Sequence, residues 1–186
     1  SPPAAIEANF TPVKLEPVPN QQPAIQPPKG KRVPAKTPVF QGQKAILDTG
    51  VLRASFAWDS GRLQMLELFS YDLNRQLLLK PTETRLMLIR VKGQNYDIRD
   101  AEVLQVSPTE RGLQAKLAFQ DIHTEADLAI WGTVDGELKM SLEVRNAGQE
   151  DAGYITYFPV LENLQLSDNQ QDDFYLFPYL GGLISQ

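Results

Sequence analysis

The sequence predicts an all-β protein, an antiparallel β-sandwich preceded by an extended proline-rich tail. Three observations carry that expectation. Several stretches after residue 38 alternate apolar with polar residues at a period of two, as half-buried strands do because successive side chains point to opposite faces. Turn signals such as Asp59-Ser60-Gly61, Glu110-Arg111-Gly112 and Val134-Asp135-Gly136 recur at about the spacing of short sandwich strands. No window keeps apolar residues at helical spacing through three turns behind a capping residue.

The chain divides near residue 38. Ten of the 14 prolines lie in residues 1–38, with a single glycine. Proline fixes φ, removes a backbone donor and biases its predecessor to extended geometry. This stretch is therefore expected to be a semi-rigid, polyproline-like tether. It reads as a spacer from a leader or anchor upstream of Ser1, or as a strap for a protein partner through Ile6, Phe10, Val13, Leu15 and Ile25. Residues 39–186 are expected to form the sandwich.

Within that body, Leu52, Ala54, Phe56 and Trp58 alternate with Arg53, Ser55 and Ala57, and Leu63–Phe69 reads as the returning strand. Leu113, Ala115, Leu117 and Phe119 face one way while Gln114 and Lys116 face the other. Leu138, Met140, Leu142 and Val144 alternate with Lys139, Ser141 and Glu143, behind an Asp-Gly pair that suits the positive φ of a tight hairpin. Shorter strands are expected over Arg85–Lys92, Tyr96–Val106, Ala126–Trp131 and Tyr154–Phe158, with 146–153 as a polar loop. The total is about ten strands. Pro159 and Pro178 are expected to end the strands begun at Tyr154 and Phe174.

Composition limits function. With 186 residues, 42% of them hydrophobic, the chain can bury one proper core or two small ones. Its longest apolar runs fall far short of the roughly 20 residues that span a bilayer, so no transmembrane segment is expected. Residues 1–38 carry five Lys/Arg and two Asp/Glu, whereas residues 39–186 carry 13 and 21. An acidic body argues against nucleic acid, which is held by clustered Lys/Arg. There are no cysteines, hence no disulfide, thiolate metal site or Cys nucleophile.

Catalytic patterns are missing. The lone histidine, His123, sits in a polar turn, Asp121-Ile122-His123-Thr124-Glu125, without the partners of a triad or a catalytic zinc site. No phosphate-cradling glycine loop is present. Asp172 and Asp173 are adjacent, so on a strand they would face apart and could not flank one glycosidic bond. Asp168 with Asp172 is a weak calcium motif, and an ordinary solvated loop is the simpler reading. No catalytic residue, metal or cofactor is assigned.

Aromatics are the enriched resource. Tyr157 to Ile184 holds six aromatics and two prolines around an acidic, amide-rich centre. Most aromatics in alternating strands fill the core. The remainder suggest a platform for sugar rings: Trp131, Tyr175 and Tyr179 for stacking, with Asp172 and Asp173 to bind hydroxyls.

The C-terminal pieces Val144–Asn146, Phe158-Pro159, Leu161–Leu166, Asp172-Asp173, Tyr175–Pro178 and Gly181-Gly182 resemble the end of the galactose-mutarotase-like N-terminal β-sandwich of certain large bacterial glycoside hydrolase-like proteins. The hairpin around Asp59-Ser60-Gly61 is similar to the opening of such domains. The resemblance implies a supersandwich, whole or in part, in an extracytoplasmic (periplasmic or secreted) protein. It further implies a non-catalytic module packing through the 174–184 strand on a catalytic domain, linked or separate, that holds the carboxylates. Mutarotases use several histidines, which this chain lacks. The competing expectation is a protein-interaction domain of a bacterial envelope assembly, tethered by its tail.

Overall fold

The computed structural model describes residues 30–148 and 153–167, and the backbone of the strands Tyr175–Phe177 and Leu183–Ser185. The described residues form an all-β protein of packed antiparallel sheets, with no α-helix and two short 3-10 turns at Pro81–Glu83 and Gln120–Ile122. None of their helical turns is long and apolar enough to cross a membrane. Most of the proline-rich tail, residues 1–29, lies outside the described residues.

A five-stranded meander comes first. It comprises β1 (Lys36–Gln41), β2 (Lys44–Asp48), β3 (Leu52–Ala57), β4 (Gln64–Ser70) and the two-residue β5 (Arg75–Gln76), in sequential order. Consecutive strands pair because each connection is short, from two to six residues, which favours antiparallel neighbours. Strict alternation would put Met65 and Leu68 on opposite faces, yet both are buried. The register shift opposite Ser55 and Phe56 resolves this: it inserts Leu66 as an extra residue, so that Met65 and Leu68 both point inward.

Next come β6 (Leu86–Val91) and β7 (Gln94–Asp97), joined later in the chain by β12 (Tyr154–Val160) in a three-stranded sheet ordered β12-β6-β7. The second meander is β8 (Glu102–Pro108), β9 (Gly112–Phe119), β10 (Thr124–Gly132) and β11 (Leu138–Asn146), ordered β11-β10-β9-β8. Finally β13 (Tyr175–Phe177) pairs with β14 (Leu183–Ser185). The inner faces of the three larger sheets share one core, with Leu47, Phe56 and Met65 from the first sheet, Ile89 from β6, and Leu117 and Leu128 from the second meander.

Three local expectations differ from the structure. The stretch Tyr96–Val106 is divided into β7 and β8, because Asp97 and Asp100 bend the chain between them. The Arg99 N–H donates to Asp97 Oδ1 at 2.9 Å, and the Asp97 N–H donates to Asp100 Oδ2 at 2.7 Å. Such local bonds compete with a strand ladder. Pro159 does not end its strand. It lies inside β12, at a register shift between Tyr157 and Val160 on a sheet edge, where a missing N–H costs least. The folded body also begins earlier than residue 39: β1 starts at Lys36, and the segment before it is strapped down. Gly30 donates its N–H to the Asp72 carbonyl at 2.8 Å, and Val33 donates to Gly50 at 3.0 Å. Arg32 grips the Asp72 carboxylate with two nitrogens. Only glycine fits at position 30, since a Cβ there would stand 1.4 Å from the Tyr71 carbonyl oxygen.

The two meanders are tied at their turns by one buried hydroxyl. Thr49 Oγ1 donates to the Gly136 carbonyl at 2.7 Å and accepts from the Leu52 N–H at 2.9 Å. Replacing Thr49 with Val keeps the shape and removes the hydroxyl, leaving buried partners unpaired. Thr49→Val is expected to lower unfolding free energy by about 1–3 kcal/mol, measured by urea denaturation. A loss below the error of that measurement would show that the tie is dispensable.

Candidate functional site: the outer face of the second meander

Register gives this sheet two unlike faces. Inward rows such as Val106–Ala115–Leu128–Leu142 and Val103–Leu117–Ala126–Val144 are apolar. Outward rows are Ser107–Gln114–Ala129–Ser141 and Gln105–Lys116–Asp127–Glu143. Burying one face obliges the other to be polar, and here the polar face encloses a shallow groove of ≈ 650 Å³ lined by Gln105, Ser107, Gln114, Lys116, Asp127 and Ser141. That volume falls within the range of small-ligand clefts.

Trp131 stands at one end of this face. It is paired in register with Gly112 on β9 and Lys139 on β11, and it lies two residues along β10 from Ala129 on the same side. The core cluster includes Trp58 among its half-buried supports but not Trp131. Its β9 flank has no side chain, because position 112 admits only glycine: a Cβ there would lie 1.9 Å from the Ile130 carbonyl oxygen and 2.7 Å from the Trp131 Cα. The half-buried indole therefore lies on the groove's side of the sheet, one cross-strand row beyond Ala129 and outside the groove lining, with one neighbour position empty.

The charges on this face are held loosely. Arg145 reaches Asp127 at 2.7 Å, Glu143 at 3.5 Å and Glu125 at 3.8 Å. Gln105 donates to the Ser107 hydroxyl at 2.9 Å. Lys116, opposite Asp127, makes no ion pair among the described residues. Exposed pairs of this kind contribute little, roughly 0–1 kcal/mol, so the side chains can turn toward a ligand at small cost. The groove can donate to and accept from hydroxyls, and the aromatic Trp131 lies on the same face one row beyond it. It has no nucleophile beside a base, and no group of three His, Cys, Asp or Glu among the described residues could hold a metal ion.

Of the residues singled out from sequence, Trp131 is the one whose side chain is placed. Tyr175 lies in β13, its backbone paired with Ser185. Asp172, Asp173 and Tyr179, and Asp168 of the calcium motif, lie outside the described residues. The expected interface along 174–184 is described only as the backbone of β13 and β14. Tyr154 and Phe158 pack against the core, whereas Tyr157 is 45% exposed on edge strand β12. His123 is exposed at the end of a 3-10 turn. The groove residues were not chosen from sequence as ligand contacts. Their signal was the polar half of the alternation that marks the strands.

Two other charged clusters are structural in character. On the outer face of the first sheet, Tyr71 donates its hydroxyl to buried Asp48 at 2.9 Å, and Arg53 lies 5.1 Å from the centre of the Phe69 ring while gripping Glu67. Burial and the hydrogen bond to Asp48 push the Tyr71 phenol up. Its Glu67 partner raises the Arg53 guanidinium, partly opposed by burial. Beside β12, Arg85 is paired with Glu162, a contact that holds the Glu162 carboxyl down. Nearby, burial pushes the Asp97 carboxyl up, but hydrogen bonds from the Arg99 side chain and backbone, with the charges of Arg99 and Arg85, outweigh it and leave it below the usual range.

A lowered folded pKa means that Asp97 stabilises the fold above its unfolded pKa, about 3.9, and that this contribution is lost as pH falls toward the lower folded value. Asp97→Asn is expected to cost about 1–3 kcal/mol at neutral pH. The gap from the parent should close as the solution is acidified through that window, followed by denaturant melts at several pH values. A gap that stays constant with pH would contradict the assignment.

In comparisons with known proteins, no family model, no curated protein and no solved structure matches this chain.

Proposed function

We propose that this chain is a non-catalytic β-sandwich module that binds or orients glycan for a carbohydrate-active protein outside the cytoplasm. The observation that carries the reading is the outer face of the β8–β11 sheet, where Trp131 lies one cross-strand row beyond a groove of amide, hydroxyl and charged side chains and on the same side of the sheet. Sugars present apolar ring faces and many hydroxyls, and a mixed aromatic and polar surface complements both. The resemblance of the C-terminal segment to galactose-mutarotase-like domains supports the same reading, with the catalytic carboxylates supplied by a domain packed along 174–184. Asp172, Asp173, Tyr175 and Tyr179 would extend the contact from that segment.

A second reading, a tethered interaction domain of an envelope assembly, is favoured by one observation. The clasp of Gly30, Arg32 and Val33 on Asp72 and Gly50 fixes where the proline-rich segment leaves the body, as a tether that positions a partner would require. Deleting residues 1–29 leaves the clasp intact. Loss of a co-purifying envelope protein on that deletion would favour the second reading over the first.

The first reading is tested by calorimetric titration with neutral cello-, xylo-, manno- and chito-oligosaccharides. At least one should bind, and Trp131→Ala should weaken it about tenfold or more, equivalent to about 1.4 kcal/mol, with little change in melting temperature. Absence of binding across the panel, or binding untouched by the substitution, would remove the groove from consideration.

A further inference from the structure

A turn normally runs over the surface, where water satisfies its backbone. The turn between β2 and β3 does not: Thr49 and Gly50, with Asp48 just before them, are buried. The segment ahead of β1, residues 30–35, lies against it. The Val33 N–H donates to the Gly50 carbonyl at 3.0 Å, and a Cβ on Gly50 would overlap the Val33 carbonyl oxygen. The two backbones are therefore in direct contact. At one end the segment is held by Gly30 and Arg32 on Asp72, and the neighbouring Tyr71 N–H donates to the Val51 carbonyl at 2.9 Å. Beyond its other end, the Lys36 ammonium lies 3.4 Å from the buried Asp48 carboxylate.

The same turn rests on a second one, between β10 and β11. Thr49 donates its hydroxyl to the Gly136 carbonyl, and its methyl carbon would stand 2.9 Å from a Cβ on Gly132. Val51 Cγ2 occupies the space that a Cβ on Gly136 would need. This second turn is closed from within: the Thr133 N–H donates to the Glu137 carbonyl at 2.9 Å, and the Glu137 N–H donates to the Thr133 hydroxyl at 3.0 Å. A cleft of ≈ 460 Å³ separates Arg32 from Asp135, Glu137 and Lys139. The solid connection between the segment and the second turn therefore runs through the first. Close-packed groups pass a displacement on because they have little room to absorb it.

We infer that residues 30–35 form a strap that conditions the β10–β11 hairpin: seated on the first turn it keeps the second in order, and lifted it lets both loosen. The strap is the layer most easily opened. Its charged grip lies at the surface, with 64% of the Arg32 side chain exposed, so salt screens it and a competitor can reach it. Segments held by few buried contacts open at a cost well below that of global unfolding. Residues 1–29 are joined to the body through Gly30, so a pull on the proline-rich segment is delivered to the strap by the chain itself. The hairpin at the other end of the path carries Trp131, next to Gly132. The inference rests on these contacts and on neither reading of function.

The test is hydrogen–deuterium exchange of the full chain, read at single amides by NMR. Arg32→Ala removes the charged grip, and Gly30→Ala forces the strap off the Tyr71 carbonyl. Each is expected to speed exchange at Val33 and, by about fivefold or more, at Leu52, Thr133, Gly136 and Glu137. The amides of Phe56 and Leu117, in the central strands, report global unfolding and should change less. With Thr49→Val already in place, Arg32→Ala should still release Val33 but speed Gly136 and Glu137 less than it does in the parent. Four results would overturn the inference: acceleration confined to Val33, no acceleration at any of these amides in either variant, an equal rise at Phe56 and Leu117, or an undiminished rise at Gly136 and Glu137 in the Thr49→Val background.

Discussion

The hydrogen bond from Thr49 to the Gly136 carbonyl is the contact on which the candidate surface depends. It joins the turn after β2 to the turn between β10 and β11, and so fixes one meander against the other at the end where both reverse. Gly136, with φ +88, provides the backbone this turn requires. In a sheet with period-two side chains, a slip of one residue exchanges the two faces. Were β10 to slip against β9, Trp131, Ala129 and Asp127 would turn inward and Ile130, Leu128 and Ala126 would meet water. The apolar core resists that slip along the length of the strands, and the Thr49 tie resists it where the hairpin turns.

The fold class was legible because alternation reports a physical requirement directly: one face of each strand must be buried. Leu113–Phe119 and Leu138–Val144 appear in the structure as β9 and β11 for that reason. What the sequence concealed was set by interactions that do not repeat. The Asp97 and Asp100 side chains divide a run that otherwise reads as one strand, because their bonds to nearby N–H groups compete with the ladder. The Leu66 bulge re-aims β4 without any glycine or proline to announce it. The clasp at Gly30 depends on a carbonyl 42 residues away in the chain, and no local pattern encodes such a contact.

The site was legible only in part, for a related reason. Trp131 attracts notice as a rare aromatic, whereas Gln114, Lys116, Asp127 and Ser141 look like ordinary solvent-facing positions until cross-strand register places them side by side. In this fold the strands supply rigidity and a uniform polar face, while the turns gather dissimilar side chains.

The proposed glycan contact lies along the rigid strand face of β8–β11, an element suited to flat, tolerant contact. The most direct measurement is amide chemical-shift mapping of the protein during titration with a bound neutral oligosaccharide. Shifts concentrated at Gln105, Ser107, Gln114, Lys116, Ser141 and the Trp131 indole are the predicted result. Shifts confined to other surfaces, such as β12 or the outer face of the first meander, would contradict the assignment of this sheet as the glycan-facing side.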